Sequence, residues 1–328
     1  MKAVLCKEYG PPEKLVVEEL PSPAAGKGQV VIAVHAAALN FPDLLIIQNK
    51  YQFKPPLPFS PGGEVAGVVK EIGEGVTGFH PGDRVIGWCA WGGFAEEVAI
   101  DASQATRIPD AIDFVTASGF LLAYGTSYHA LVDRARLAAG ETLVVLGAAG
   151  GVGLAAVEIG KALGARVIAC ASSEDKLALC REHGADEVID YVREDLKERI
   201  KKLTGGKGAD VVYDPVGGPY AEAALRSTAW EGRFLVVGFA AGDIPSIPLN
   251  LVLLKGCAIL GVFWGSFTAR EPARNQQNLG ELLLWFEQGK LHPHVSQTYP
   301  LERAAEALGE MAARKVKGKV ALVTGRRP

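Results

Sequence analysis

Along the first third of the chain, apolar residues come in short runs broken by glycine, proline and charge. KAVLCKEY, LVVEELP and GQVVIAVHAAALN read as β-strands, and GGEVAGVVKEIGEGVTGFHPGDRVIG alternates brief apolar runs with glycine turns and the turn signature Pro81-Gly82-Asp83. Many short strands with that punctuation predict a barrel-like β domain. After FLLAYGTSYHALVDRARLAAGETLVVLG the pattern lengthens. The strands LVVLG, RVIACA, EVIDY, DVVYDPVG and FLVVGF then alternate with helical stretches of roughly 10–15 residues, the arrangement of a parallel, doubly wound sheet. From about Ile259 the texture is mixed again, with an amphipathic helix in NLGELLLWFEQGK and a last strand in GKVALVTG. The expected fold class is α/β, with a β domain over residues 1–122, a doubly wound domain over 123–262, and a return to the first domain over 263–328.

The junction of strand and helix in VVLGAAGGVGLAAVEIGKALGARVIACASSEDK (residues 144–176) carries candidate chemistry. Ala148-x-Gly150-x-x-Gly153 is a variant of the dinucleotide-binding fingerprint, with Gly147 closing the strand. Absent side chains let backbone approach a pyrophosphate, and a helix expected from about Val152 to Leu163 aims its N–H groups at the phosphate charge. Ala149, Gly150, Gly151 and Val152 are therefore cofactor candidates. An acidic residue at the end of the second strand would accept hydrogen bonds from the ribose hydroxyls of NAD and repel the 2′-phosphate of NADP. Here stand Ala171, Ser172 and Ser173, with Lys176 one turn on and Tyr191 at the end of EVIDY. The expected cofactor is NADPH. Ser172 or Ser173 also suits the N-cap of the helix beginning at SEDKLALC, and the two roles are compatible.

Composition removes other classes of function. With 328 residues, 48% hydrophobic, 22% charged and a net charge of −3, no case arises for nucleic acid or an anionic membrane. No run reaches the ~18 apolar residues of a membrane span, and Lys7 and Glu8 interrupt the first residues before a signal-peptide core forms. A cytoplasmic location is expected. The five cysteines, Cys6, Cys89, Cys170, Cys180 and Cys257, include no close pair of the kind that builds a zinc knuckle, and the histidines are dispersed. No metal is expected.

The stretches LNFPDLLIIQNKY, PGGEVAGVV, GDRVIGWCAWGGFAEEV and AYGTSYHAL, with GAAGGVG, resemble the medium-chain dehydrogenase/reductase superfamily over essentially the whole chain. Within it they resemble the zinc-free, zeta-crystallin-like quinone oxidoreductases. The resemblance implies a GroES-like catalytic domain, a Rossmann domain, NADPH and a homodimer joined edge to edge near GCAILGVFW. It also implies the absence of zinc, since Asn40 stands where zinc-dependent relatives have a catalytic cysteine and Gly63 where they have a histidine, ahead of a glutamate matching Glu64. Asn40 and Tyr51 are implied as the polar groups of the acceptor pocket, with Asp43 nearby and Leu45 in place of a second tyrosine. Local readings also stay open: Asp43 as a helix cap, Tyr51 as loop packing, Trp88 and Trp91 as interdomain packing. Thr126, Gly238, Phe239 and Phe263 are implied near the nicotinamide, and Arg314 at the 2′-phosphate, with Lys315 and Lys317 close enough to compete. Hydride transfer to a quinone is the implied activity. Enoyl-thioester or 2-alkenal reduction is the rival chemistry, and a non-catalytic NADPH-binding protein is the rival class.

Overall fold

The ten-residue strand Gln29–Ala38 is apolar on both faces, and Val30, Val31, Ile32, Val34 and Ala36 are fully buried. It pairs antiparallel along most of its length with Glu64–Ile72. Its other edge is shared: residues 29–33 pair with Glu97–Asp101, and residues 36–38 with Lys319–Val323 near the C-terminus. The resulting sheet runs Val295–Pro300, Lys319–Val323, Gln29–Ala38, Glu64–Ile72, Arg84–Trp88, Ala105–Arg107. A computed structural model describes residues 1–326 and divides the chain into two units, residues 1–122 with 293–328, and residues 123–292. The first unit is the GroES-like one. Its core includes Ile32, Leu39, Ile47, Phe94, Tyr299 and Leu322.

The second unit is built on six parallel strands in the order Glu187–Asp190, Arg166–Ala171, Thr142–Val145, Ala209–Asp214, Thr228–Val236, Ala258–Gly261. In chain order this is 3-2-1-4-5-6, the Rossmann order, whose direction of winding reverses between Thr142–Val145 and Ala209–Asp214. The central strands are continuous apolar runs because helices cover both faces; Leu143, Val144, Val145, Val167, Ile168, Val211 and Val212 have no exposed surface. Ala258–Gly261 forms one edge.

One expected boundary lies elsewhere. Residues 263–292, assigned by pattern to the returning part, group with the second unit. The helices Trp264–Arg270 and Pro272–Glu287 are held there by specific contacts. The Tyr128 hydroxyl donates to Glu281 at 2.6 Å, and the Trp264 ring fills the space at Gly125, where a Cβ would come within 2.8 Å of it. Amphipathic periodicity shows that a helix has a buried face but not which body it buries against.

Candidate active site

The glycine turn follows from packing. After Thr142–Val145 the chain turns at Gly147, with φ 57, and the Gly150 N–H donates to the Gly147 carbonyl at 3.0 Å. Gly153 is required by close approach: a Cβ there would stand 2.3 Å from the Gly147 oxygen and 2.7 Å from Ala148 Cα. The helix begins at Gly151 and runs to Ala162, within one residue of expectation, with Gly150 as an N-cap that has no side chain to cap it. The first-turn N–H groups of such a helix have no intrahelical carbonyls. Around them Ala149 is buried, and Gly150, Gly151 and Val152 are half-buried. The cradle has the open backbone and dipole polarity that a pyrophosphate requires.

Apart from Thr126, in the helix Leu121–Tyr128, the remaining cofactor candidates on this unit lie at or just beyond the carboxyl ends of its strands, which in a parallel sheet all face one edge. Ala171 ends Arg166–Ala171 and is buried, and its carbonyl accepts the Tyr191 N–H at 3.2 Å. The Tyr191 ring packs on Tyr220 at 4.4 Å. Lys176 reaches back to within 3.5 Å of the Ser172 hydroxyl, so Ser172, Lys176 and Tyr191 stand around the end of one strand pair. Ser173 is the N-cap of Glu174–Glu182 by position, but its hydroxyl is bonded to the Asp175 carboxylate instead of a backbone N–H. That bond corrects the expectation of a capping hydroxyl at Ser173 and occupies its hydrogen, because a carboxylate two residues on is the stronger local acceptor. Gly238 and Phe239 follow Thr228–Val236, and Phe263, 44% exposed, follows Ala258–Gly261.

Ser127 is the residue that pattern reading missed. Its hydroxyl donates to the Val152 carbonyl at 2.8 Å and lies 2.9 Å from the buried Tyr213 hydroxyl, tying the helix Leu121–Tyr128 to the glycine-turn helix. The neighbouring Thr126 is buried. A Thr-Ser pair in an apolar helix was the only signal. Arg314 belongs to the other unit, exposed in a turn with φ 58, so its assignment to the 2′-phosphate rests on the resemblance alone.

In the GroES-like unit, Asn40 is the N-cap of the short helix Phe41–Ile46, and Asp43 accepts the Asn40 backbone N–H at 2.7 Å. The expected cap and the expected polar group are thus one arrangement. The Asn40 side chain is committed, however: its Nδ2 donates to Glu64 Oε1 at 2.9 Å and to the Ala38 carbonyl at 3.3 Å, while its Oδ1 accepts from Lys319 Nζ at 2.6 Å. Both amide hydrogens are spent, so Asn40, implied by the resemblance as a polar group of the acceptor pocket, has no amide hydrogen left to offer an acceptor. Burial pushes the Asp43 carboxyl up to about 7, against the lowering effects of the Asn40 N–H and the Lys319 charge. Tyr51 is half-buried and packs edge-on against Phe53 at 5.6 Å. Burial, then the nearby Asp43 charge, raises its phenol above the ordinary value. Its hydroxyl has no hydrogen-bond partner among the described residues. Trp88 packs on Gly63 and Trp91 is 40% exposed.

A zinc ion does not fit this donor set. Position 40 is an amide already bonded to Lys319 and Glu64, and a Cβ at Gly63 would stand 2.9 Å from the Trp88 ring. No group of three or more His, Cys, Asp or Glu able to hold a metal occurs among the described residues. Nor is any helix among them long and apolar enough to cross a membrane.

The alcohol dehydrogenase GroES-like domain model matches residues 26–110, and the zinc-binding dehydrogenase model matches residues 151–281. The chain is 41% identical to the quinone oxidoreductase-like protein 2 homolog of Nematostella vectensis over 98% of its own length and 89% of that protein. Among solved structures, it resembles Escherichia coli quinone oxidoreductase complexed with NADPH, with TM-score 0.92, 29% identity and coverage of 98% and 100% of the two chains. A mycobacterial protein complexed with NADPH matches with TM-score 0.93, 32% identity and the same coverages.

Proposed function

The chain belongs to the quinone oxidoreductase-like family of medium-chain dehydrogenases/reductases, and from that premise we propose that it is an NADPH-dependent, zinc-independent reductase that transfers hydride to quinones. The observation that carries the reading is the cofactor cradle: a glycine turn opening an uncapped helix, beside a second strand that ends in Ala171 with Ser172 and Lys176 next to it. Backbone N–H groups from Ala149 to Val152 would bind the pyrophosphate, and Ser172, Lys176 and Tyr191 the phosphorylated ribose. Thr126, Gly238, Phe239 and Phe263 are assigned to the nicotinamide end. Bound NADPH supplies the hydride. The protein's part is to hold the acceptor, exclude water and place a hydrogen-bond donor where oxyanion character develops. Tyr51 is that donor, and Asn40 and Asp43 fix the segment it follows. The edge strand Ala258–Gly261, with Ile259 and Phe263 partly exposed, is proposed as the homodimer junction. Sedimentation at a monomer mass at micromolar concentration would refute that assembly.

A second reading has its own observation. A half-buried tyrosine whose hydroxyl is unbonded and whose proton is held above the ordinary pKa suits proton delivery to carbon, as reduction of an enoyl thioester or 2-alkenal requires. Quinones, enoyl-CoA esters and alkenals assayed side by side with NADPH decide between the readings. Fastest turnover with quinones is expected. Fastest turnover with enoyl-CoA would transfer the assignment to the second reading, and NADPH binding without turnover of any acceptor would leave a cofactor-binding protein.

A further inference from the structure

Lys319, the first residue of the strand Lys319–Val323, is buried, and its side chain runs inward to the Asn40 end of the GroES-like unit. Its three ammonium hydrogens meet three acceptors: Glu64 Oε1 at 2.7 Å, Asn40 Oδ1 at 2.6 Å and the Leu39 carbonyl at 2.9 Å. Glu64 has no exposed surface, and its second oxygen accepts the Leu122 N–H at 2.8 Å. Two glycines make the placement possible. At Gly119 a Cβ would press on the lysine stem at 3.3 Å, and at Gly318, with φ 59, a Cβ would fall 2.4 Å from the His294 carbonyl oxygen. An ammonium only donates and a carboxylate only accepts, so the Asn40 amide has one orientation, oxygen toward Lys319 and nitrogen toward Glu64. The same residue is the N-cap of Phe41–Ile46, with its backbone N–H held by Asp43, and the chain then leads on to Tyr51.

We propose that Lys319 is a positioning residue for the reaction: its ammonium is the fixed positive charge that this site has in place of a metal ion, locking Glu64 and Asn40 and, through the Asn40 cap, setting the segment that carries Tyr51. The catalytic half of this inference rests on the reductase reading; the positioning half does not. Lys319→Met alone strands a buried carboxylate and invites misfolding. The informative variant is therefore Lys319→Met with Glu64→Gln, which removes both charges at once. In the full-length protein, hydrogen exchange over residues 39–51, NADPH affinity and kcat/KM for 1,4-benzoquinone are measured together. The expected result is a folded variant with unchanged NADPH affinity, exchange in that segment faster by at least about tenfold, and kcat/KM lower by at least about tenfold. Unchanged exchange in the folded double variant would overturn the inference and leave Lys319 as a counter-charge to Glu64 alone. Faster exchange with wild-type kcat/KM would overturn its link to the reaction. A wild-type protein inactive with every acceptor would sink the reductase reading, while the exchange measurement would still decide the positioning role.

Discussion

Ala171, Asp43 and Tyr51 each make a separate claim about chemistry. An aspartate at 171 would put a negative charge against a dianionic 2′-phosphate; at an effective dielectric of about 20 even a partly screened contact costs upward of about 1.4 kcal/mol, or tenfold. Ala171→Asp should therefore weaken NADPH by about tenfold or more and leave NADH nearly unchanged, as read by fluorescence titration. Equal losses for both would show that the phosphate sits elsewhere. Tyr51→Phe keeps the ring against Phe53 and deletes the hydroxyl, so steady-state rates should fall more for enoyl-CoA than for quinone; an equal fall would count against proton delivery by Tyr51. Asp43 bears on stability. Its carboxyl rises from the ordinary 3.8 to about 7 on folding, so the folded chain takes up a proton that the unfolded chain has released between those values. Its contribution is full below about pH 4 and is lost as the pH rises through 7. Calorimetry of wild type against Asp43→Asn should show their Tm difference changing across pH 4–7, in the sense that wild type loses ground as pH rises; a constant difference would contradict the burial argument. At this scale the grouping of Ser172, Lys176 and Tyr191 at the strand end closed by Ala171 was legible, because these residues follow a local fingerprint. The commitment of Asn40 was not, because its partners Glu64 and Lys319 are 24 and 279 residues away.

Among elements, the strand–turn–helix around Gly150 was legible to within a residue, since periodicity, glycine spacing and strand composition agree there. Gly153→Ala tests the packing reason. The clash is with backbone, which no side-chain rotation relieves, so a loss of about 1–3 kcal/mol in stability and a weakened NADPH site are expected. Unaltered unfolding and binding would show that the turn is slacker than its contacts indicate. The helices Trp264–Arg270 and Pro272–Glu287 were legible as helices but not as members of the sheet unit. Their anchors, Tyr128 to Glu281 and Trp264 in the space at Gly125, join residues more than 130 apart. Ser173 shows the same limit at short range: its position marks a cap, while its hydroxyl goes to Asp175.

In the whole molecule, the return of the C-terminal strand to pair with Gln29–Ala38 gives the GroES-like unit its buried cation, and the parallel sheet gives the second unit its cofactor edge. The two architectures were legible in sequence because one alternates short strands with turns and the other strands with helices. The acceptor was not, since pocket shape depends on side chains drawn from distant segments. What joins the scales is the proposed metal-independent reductase: Glu64 answered by Lys319, position 63 open for Trp88, and NADPH as the expected source of hydride. The most direct test is NADPH oxidation by 1,4-benzoquinone after exhaustive treatment with a strong chelator, with NADH run in parallel. Undiminished, NADPH-preferring turnover is the predicted result, and loss of turnover on chelation that returns with added zinc would contradict the account.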